Sequence, residues 1–327
     1  MIRIYGTLGP ACDKEEILEE MLGLGMTGLR LNLSHGSLEQ AAGELETLRR
    51  AEENCGRRAE LLIDMQGPEL RIGALKAPLL LRAGETVDLD ALPFPEPVRA
   101  ALSPSQELLL DDGKLLLTVV RGGRAHVNRG GVLLSRKSVA LPGREIRLPA
   151  LTEEDLRNIA AAKACGVSAL MQPFVRSRRD LEEVRAALDA AGCREVRLLA
   201  KIENREGLGR LTELIESCDE IVIARGDLGN AMPLWELPAA QKHIAAQCRA
   251  AGRDFMVVTQ MLASMEQNPV PTRAEVSDIF NAVLDGAASV MVTGETAAGK
   301  YPAETIRYLT ETVRRAEQYR KEEGINS

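Results

Sequence analysis

Short apolar runs alternate with amphipathic stretches along most of the chain, and that alternation predicts its elements. Strands are expected near Ile2 to Tyr5, Thr27 to Leu31 and Glu60 to Asp64, with helices near Lys14 to Leu24 and Leu38 to Glu53 between them. After a break the pattern resumes. Strands are expected near Ser168 to Met171, Val196 to Lys201, Glu220 to Ala224, Phe255 to Val258 and Ser289 to Val292. Helices are expected near Glu153 to Ala164, Arg178 to Ala190, Leu208 to Glu216, Pro233 to Ala251 and Arg273 to Leu284, and a last one from Pro302 to Glu317. Eight strands, each followed by a helix except at the break, make an α/β chain with the count of a (β/α)8 TIM barrel.

The break, from about Arg71 to Leu141, is richer in Gly and Pro. Its apolar runs are short: Leu79 to Leu81, Leu108 to Leu110, Lys114 to Val120 and Val132 to Ser135, set between turns such as Asp111-Asp112-Gly113 and Gly122-Gly123. This predicts a small inserted β-barrel-like domain over residues 72–141, leaving 1–71 and 142–327 to the barrel. An insertion that leaves the carboxyl end of a strand overhangs the face where barrel sites lie, so a lid is its natural role.

Composition narrows the classes. At 327 residues and 45% hydrophobic, the chain can bury a barrel core of about 250 residues plus an insertion. Its net charge of −7 comes from interleaved acids and bases, which argues against nucleic acid as a partner. Six scattered cysteines and three histidines support neither a disulfide framework nor a zinc site, and fit a reducing cytoplasm. The first twenty residues carry Glu15, Glu16, Glu19 and Glu20, and no 18-residue apolar run occurs, so neither export nor a membrane is expected.

Chemistry concentrates at two strand ends. Glu203, in Ala200-Lys-Ile-Glu-Asn-Arg-Glu-Gly207, and Asp227, in Ala224-Arg-Gly-Asp-Leu-Gly229, each follow an apolar strand and lie one helix apart. Parallel neighbours bring such ends together, and two hard carboxylates with room for further oxygens suit Mg²⁺. Lys201, two residues before Glu203, would face the same pocket. A fixed cation beside a divalent metal suits a substrate whose negative charge grows as it reacts, such as a phosphoryl group or an enolate. The plain alternative is that Glu203 and Asp227 only ion-pair with Arg205 and Arg225. Met261, Met265 and Trp235 read as packing residues, and Asp111-Asp112-Gly113 as a hairpin turn.

Nine segments, in order through the whole barrel, resemble the pyruvate kinase family. They are Thr7-Leu-Gly-Pro10, Leu29-Arg-Leu-Asn-Leu-Ser-His-Gly36, Asp64-Met-Gln-Gly-Pro-Glu-Leu-Arg71, Lys201-Ile-Glu-Asn-Arg-Glu-Gly207 and Ala224-Arg-Gly-Asp-Leu-Gly229. Thr259-Gln-Met-Leu-Ala-Ser-Met265, Pro271-Thr-Arg-Ala-Glu275, Asn281-Ala-Val-Leu-Asp-Gly286 and Thr293-Gly-Glu-Thr296 complete the set. The resemblance implies phosphoryl transfer between phosphoenolpyruvate and ADP, giving pyruvate and ATP, with Mg²⁺ or Mn²⁺ and K⁺ as cofactors. Position by position, it implies divalent-metal ligation by Glu203 and Asp227, and stabilisation of the moving phosphoryl group and enolate by Lys201. Gly226 and Asp227 would hold the substrate carboxylate through their amides, with Thr259 beside it and linked to proton delivery. Arg30 and Arg71 would reach the phosphate, where a guanidinium fork suits its oxygens. Asn32, His35, Arg71 and Lys137 fall on the nucleotide side. Asn32, Ser34 and Asp64 would ligate potassium, with the main-chain carbonyl of Met65 as fourth ligand. Glu69 matches the glutamate that accompanies potassium dependence, and Asp111-Asp112 an acidic pair of the lid.

The departures are also specific. The family's Thr-Lys before Gly-Pro-Glu is Met65-Gln66 here, its Ser two residues before Val-Arg is Pro173, and its Asn before Leu-Pro is Ala140. Losing one hydroxyl costs a hydrogen bond of about 0.5–1.5 kcal/mol, too little alone to abolish activity. The lid is shorter than usual, and members usually continue into a C-terminal α/β regulatory domain; this sequence ends at Ser327, so a short member without that domain is the expectation. Two alternatives follow from the departures: a metal-dependent pyruvate aldolase or lyase that uses no nucleotide, and a non-catalytic phosphoenolpyruvate-binding sensor. Homo-oligomerisation through the barrel faces is compatible with the sequence.

Overall fold

The period-two alternation of the apolar runs builds two cores at once. In the computed structural model, which describes residues 1–111, 113–144, 146 and 148–324 and leaves out the side chain of His35, eight parallel strands close into a barrel. They are β1 (Arg3–Thr7), β2 (Gly28–Asn32), β3 (Glu60–Asp64), β4 (Ala169–Gln172), β5 (Arg197–Ile202), β6 (Glu220–Ala224), β7 (Asp254–Val258) and β8 (Ser289–Met291). Each pairs with its sequence neighbour, and β8 closes on β1. Successive side chains point to opposite faces of a strand. One set, including Tyr5, Leu62, Met171, Leu199, Val222 and Met256, fills the barrel interior. The other, including Ile4, Ile63, Leu170, Leu198, Ile221 and Val257, packs against the helices.

The helices carry their own start signals. Thr152, Ser177 and Thr272 each open one with a capping box, answered by Asp155, Asp180 and Glu275 three positions on. At the amino ends of the strands, a charged cluster ties the barrel together. Fully buried Glu220 accepts from Arg3 at 3.0 Å and Arg197 at 2.9 Å, and Ser289 donates to its other oxygen. Arg197 also reaches Glu60 at 2.6 Å, where the Tyr5 hydroxyl bonds as well.

A second unit covers Pro68–Pro149 and has its own core of Ile72, Leu92, Val98, Leu108, Leu117 and Val127. Its main sheet is antiparallel, in the order Val139–Ala140, Glu107–Leu110, Leu115–Val120, Arg124–Arg129 and Thr86–Asp88. Leu79–Leu81 pairs separately with Gly131–Leu133. The hairpin at Asp111 forms, with Lys114 N donating to the Asp111 carbonyl at 3.0 Å, while Asp112 lies outside the described residues. Strand Arg124–Arg129 escapes the sequence pattern because only Ala125 and Val127 turn inward, a signal too small to separate from a polar loop.

Three expectations about helices and packing are corrected. The helix expected over Leu208 to Glu216 is two, Arg205–Gly209 and Leu211–Ser217, broken where Arg210 leaves helical geometry at φ −112° and ψ 20°. The helix expected from Pro233 begins at Leu237, after a turn in which Glu236 N donates to the Pro233 carbonyl at 2.9 Å. Trp235, expected to pack, sits on that turn and is 83% exposed, beside Leu234 at 71%. Its position lies about two and a half helical turns before buried Ile244, out of phase with the apolar face. Met261 and Met265 are fully buried. No helix among the described residues is long and apolar enough to cross a membrane.

Candidate active site

Parallel register brings the expected residues to one end of the barrel. Asn32 on β2 pairs with Asp64 on β3, and Met171 on β4 lies on the other side of Asp64. Lys201 stands near the end of β5, and Glu203 follows it two positions on. Because the two differ by one strand repeat, both side chains turn the same way, and Lys201 Nζ lies 3.0 Å from Glu203 Oε1.

Asp64 joins that pair to Arg30. Its carboxylate accepts from Lys201 Nζ at 3.2 Å, and from Arg30 Nε and Nη2 at 2.9 and 2.7 Å. Arg30 Nη1 also reaches Thr7 Oγ1 at 3.4 Å. Two cations and two carboxylates, from β2, β3, β5 and the residue that follows β5, are thus held in one buried cluster. Nothing in the sequence marks Asp64 as the hub, since 137 positions separate it from Lys201.

Burial would push the Asp64 carboxyl up, but Lys201 and Arg30 outweigh it and hold that group below its ordinary value. Burial would likewise lower Lys201, yet Asp64 and Glu203 keep it firmly charged. Glu203 goes the other way: burial pushes it up to about 7 despite Lys201, and nearby Asp227 and Asp64 add to the rise. The plain alternative therefore fails for Glu203, whose partner is Lys201, while Arg205 pairs with Glu236 and Arg225 with Asp278.

The second oxygen of Glu203 accepts from the Phe174 amide at 2.7 Å. Phe174 adopts φ +52°, a conformation unfavourable for an aromatic residue, and that kink aims its N–H inward. Its role was invisible in the sequence. Next to it, Pro173 packs on the turn at Gly67, where φ is +59° and a Cβ would stand only 2.4 Å from the Pro173 ring. Asp155 holds the same turn from below, accepting from the amides of Gln66 at 2.9 Å and Gly67 at 3.0 Å. Two of the departures, Gln66 and Pro173, are therefore part of one packed turn. Met65 is 1% exposed, so its side chain belongs to the core.

Next to β5, β6 passes into a short helix, Arg225–Ala231, that the sequence pattern did not signal. Gly226 and Asp227 form its first turn, and Gly226 abuts Thr259 so closely that a Cβ there would lie 3.2 Å from Thr259 Cγ2. Thr259 follows β7 with φ +80°, and Gln260 has φ +55°. Asn32 Oδ1 accepts from Ser34 N at 3.1 Å, opening the turn Leu33–His35; the His35 side chain lies outside the described residues. Arg71 and Lys137 belong to the second unit, where Arg71 pairs with Glu69 at 2.6 Å and Lys137 with Asp111 at 2.8 Å.

Comparison with known proteins agrees with this geometry. The family model described as pyruvate kinase, barrel domain, matches residues 1–306. A pyruvate kinase of Aeropyrum pernix is 40% identical over 96% of this chain and 70% of its own length. One of Methylorubrum extorquens is 40% identical over 97% of this chain and 68% of its own, and one of Geobacillus stearothermophilus 36% identical over 97% and 57%. The chain thus spans between roughly half and 70% of the length of the curated relatives it matches. With the family model covering nearly the whole barrel and the segments in their expected order, the chain belongs to the pyruvate kinase family, a family of phosphotransferases.

Proposed function

We propose that this barrel transfers the phosphoryl group of phosphoenolpyruvate to ADP, leaving an enolate that is protonated to pyruvate. The observation that carries the proposal is the buried convergence of Arg30 and Lys201 on Asp64 and Glu203, in a member of this family. Lys201, fixed by two carboxylates, is placed to meet negative charge at the phosphoryl and enolate oxygens without reorganising. Arg30 offers a planar guanidinium for phosphate oxygens. Thr259 stands beside Gly226, where its hydroxyl serves the substrate carboxylate and the proton that the enolate takes up.

Glu203 and Asp227 fit a divalent cation: both offer hard oxygens, and such an ion would offset the burial, and with it the repulsion from Asp227, that raise the Glu203 carboxyl. Mg²⁺ or Mn²⁺ held there would polarise substrate oxygens as a Lewis acid. Asn32, Ser34, Asp64 and the Met65 carbonyl are the oxygen donors we assign to K⁺, and a carboxylate bound to two cations keeps further acceptor sites. Arg71, Lys137, Asn32 and His35 are assigned to the nucleotide on the resemblance alone. The test is a lactate-dehydrogenase-coupled assay with phosphoenolpyruvate, ADP, Mg²⁺ and K⁺, with Lys201→Met alongside. Turnover that disappears in the variant supports the reading; no ATP from the parent chain overturns it.

A further inference from the structure

Arg225 follows β6 directly, yet its side chain leaves its own helix and crosses to the loop after β7. Nε and Nη2 both donate to the Thr259 carbonyl, at 3.2 and 2.7 Å. Nη2 also lies 3.0 Å from Met261 Sδ, and Nη1 pairs with Asp278 Oδ2 at 2.6 Å. The guanidinium is largely buried, at 13% side-chain exposure. A fork with both edges engaged cannot swing away without breaking charge-assisted bonds at each.

What the fork grips is a strained segment. A β-branched residue at φ +80°, followed by another side-chain-bearing residue at +55°, persists only where the surroundings over-determine it. Three clasps do so here. Arg225 takes the Thr259 carbonyl, buried Glu295 takes the Leu262 amide at 3.2 Å, and Glu275 takes the Ser264 amide at 2.7 Å and its hydroxyl at 2.6 Å. Of these, the Arg225 clasp is the one made to Thr259 itself. The carbonyl carbon and Cβ share one α-carbon, so pinning the carbonyl fixes the backbone frame from which the hydroxyl projects and leaves it only its staggered rotamers. Gly226 then leaves the Thr259 side chain just enough space, as the 3.2 Å approach of a notional Cβ to Cγ2 indicates.

We infer that Arg225, anchored by Asp278, is a positioning residue for Thr259: it holds the strained backbone so that the hydroxyl stays beside Gly226. Arg225 need not touch substrate, because its two useful edges are spent on the loop. The inference rests on the reading of Thr259 as a substrate-side group, but its first test does not. In protein carrying ¹³C-methyl threonine and no ligand, the Thr259 methyl is expected to be a single ordered signal. Arg225→Lys, which keeps the charge but loses the fork, is expected to broaden or split it while the other threonine methyls and the circular dichroism stay unchanged. An unaltered Thr259 methyl in that variant overturns the inference whether or not the protein is a kinase.

The second test is a double-mutant cycle on kcat/KM for phosphoenolpyruvate. Misplacing a reacting group costs on the order of 10- to 100-fold, so Arg225→Lys is expected to lose that much in the parent. In a Thr259→Ala background, with no hydroxyl left to place, the same change is expected to cost less than about twofold, the non-additivity of groups that act through one another. Asp278→Asn is expected to follow Arg225→Lys in direction with a smaller effect. Equal losses in both backgrounds would show a general structural role and refute the positioning role. Absence of turnover in the parent fails the functional reading alone, and the methyl signal then decides for Arg225.

Discussion

Replacing Lys201 by methionine removes the one ammonium in the buried cluster and leaves its partners unequal. Asp64 keeps Arg30 at 2.7 and 2.9 Å, so it remains paired. Among the described residues Glu203 then keeps the Phe174 amide at 2.7 Å while still facing Asp227 and Asp64, so it becomes the uncompensated charge. Breaking a buried pair on one side costs about 3–5 kcal/mol. Glu203 has one escape, which is to take up a proton. Its carboxyl already sits near 7, above its ordinary 4.5, so the stability associated with the bound proton is complete below about 4.5 and is lost as pH rises through 7. Without Lys201 that window moves upward, and the cost of the substitution must grow with pH. In metal-free buffer, the loss should reach about 3–5 kcal/mol at pH 9 and shrink by roughly 1.4 kcal/mol for each unit toward 7. Urea denaturation of both proteins at pH 6, 7.5 and 9, with EDTA present, measures it. A further change of Glu203→Gln should restore most of the stability at pH 9. An equal loss at all three pH values, or no recovery in the double variant, would refute Lys201 as the counter-charge that Glu203 depends on.

Three other predictions test separate parts of the molecule. Glu220→Gln takes the buried carboxylate from Arg3 and Arg197, which keep Asp254 and Glu60, and should cost about 1–3 kcal/mol in urea denaturation while leaving KM for phosphoenolpyruvate unchanged. Gly226→Ala sets a methyl 3.2 Å from Thr259 Cγ2, so calorimetry should find weaker binding of phosphoenolpyruvate with Mg²⁺ and a melting temperature within a few degrees of the parent; unaltered affinity would argue against Thr259 and Gly226 forming one subsite. Hydrogen bonds from Ser264 and Thr272 outweigh burial and hold the Glu275 carboxyl below its ordinary 4.5. Its contribution is thus present above 4.5 and lost as pH falls below it, so the stability gap between parent and Glu275→Gln should close on acidification, as thermal melts from pH 7 to pH 3 would record.

Much of the fold was legible because its causes are local. Alternating apolar runs mark strands, capping boxes at Thr152, Ser177 and Thr272 mark helix starts, and β3 and β6 were placed to the residue, at Glu60–Asp64 and Glu220–Ala224. The Lys201–Glu203 pairing was equally local, since Glu203 continues one residue past the strand that carries Lys201 and keeps its alternation. Recognition of the family rested on short segments whose order a reader of the chain can see. The rest depended on contacts that no window of sequence contains. Asp64 became the hub because β3 and β5 flank β4 in a closed barrel, which brings positions 64 and 201 within 3.2 Å. Thr259 was expected at the site and Phe174 was not, but for neither did the sequence signal a left-handed backbone conformation, which no local preference would select. Packing and buried hydrogen bonds from Glu203 and Arg225 hold them there. The exposure of Trp235 is of the same kind: hydrophobicity says what a side chain favours, but where the helix begins decided which way this one faced. Sequence alone therefore determined most of the barrel's elements and the family, because those follow from short-range periodicity and spacing. Tertiary structure decided which charges meet, which backbone is strained and which proton is displaced, because these depend on distances between segments far apart in the chain.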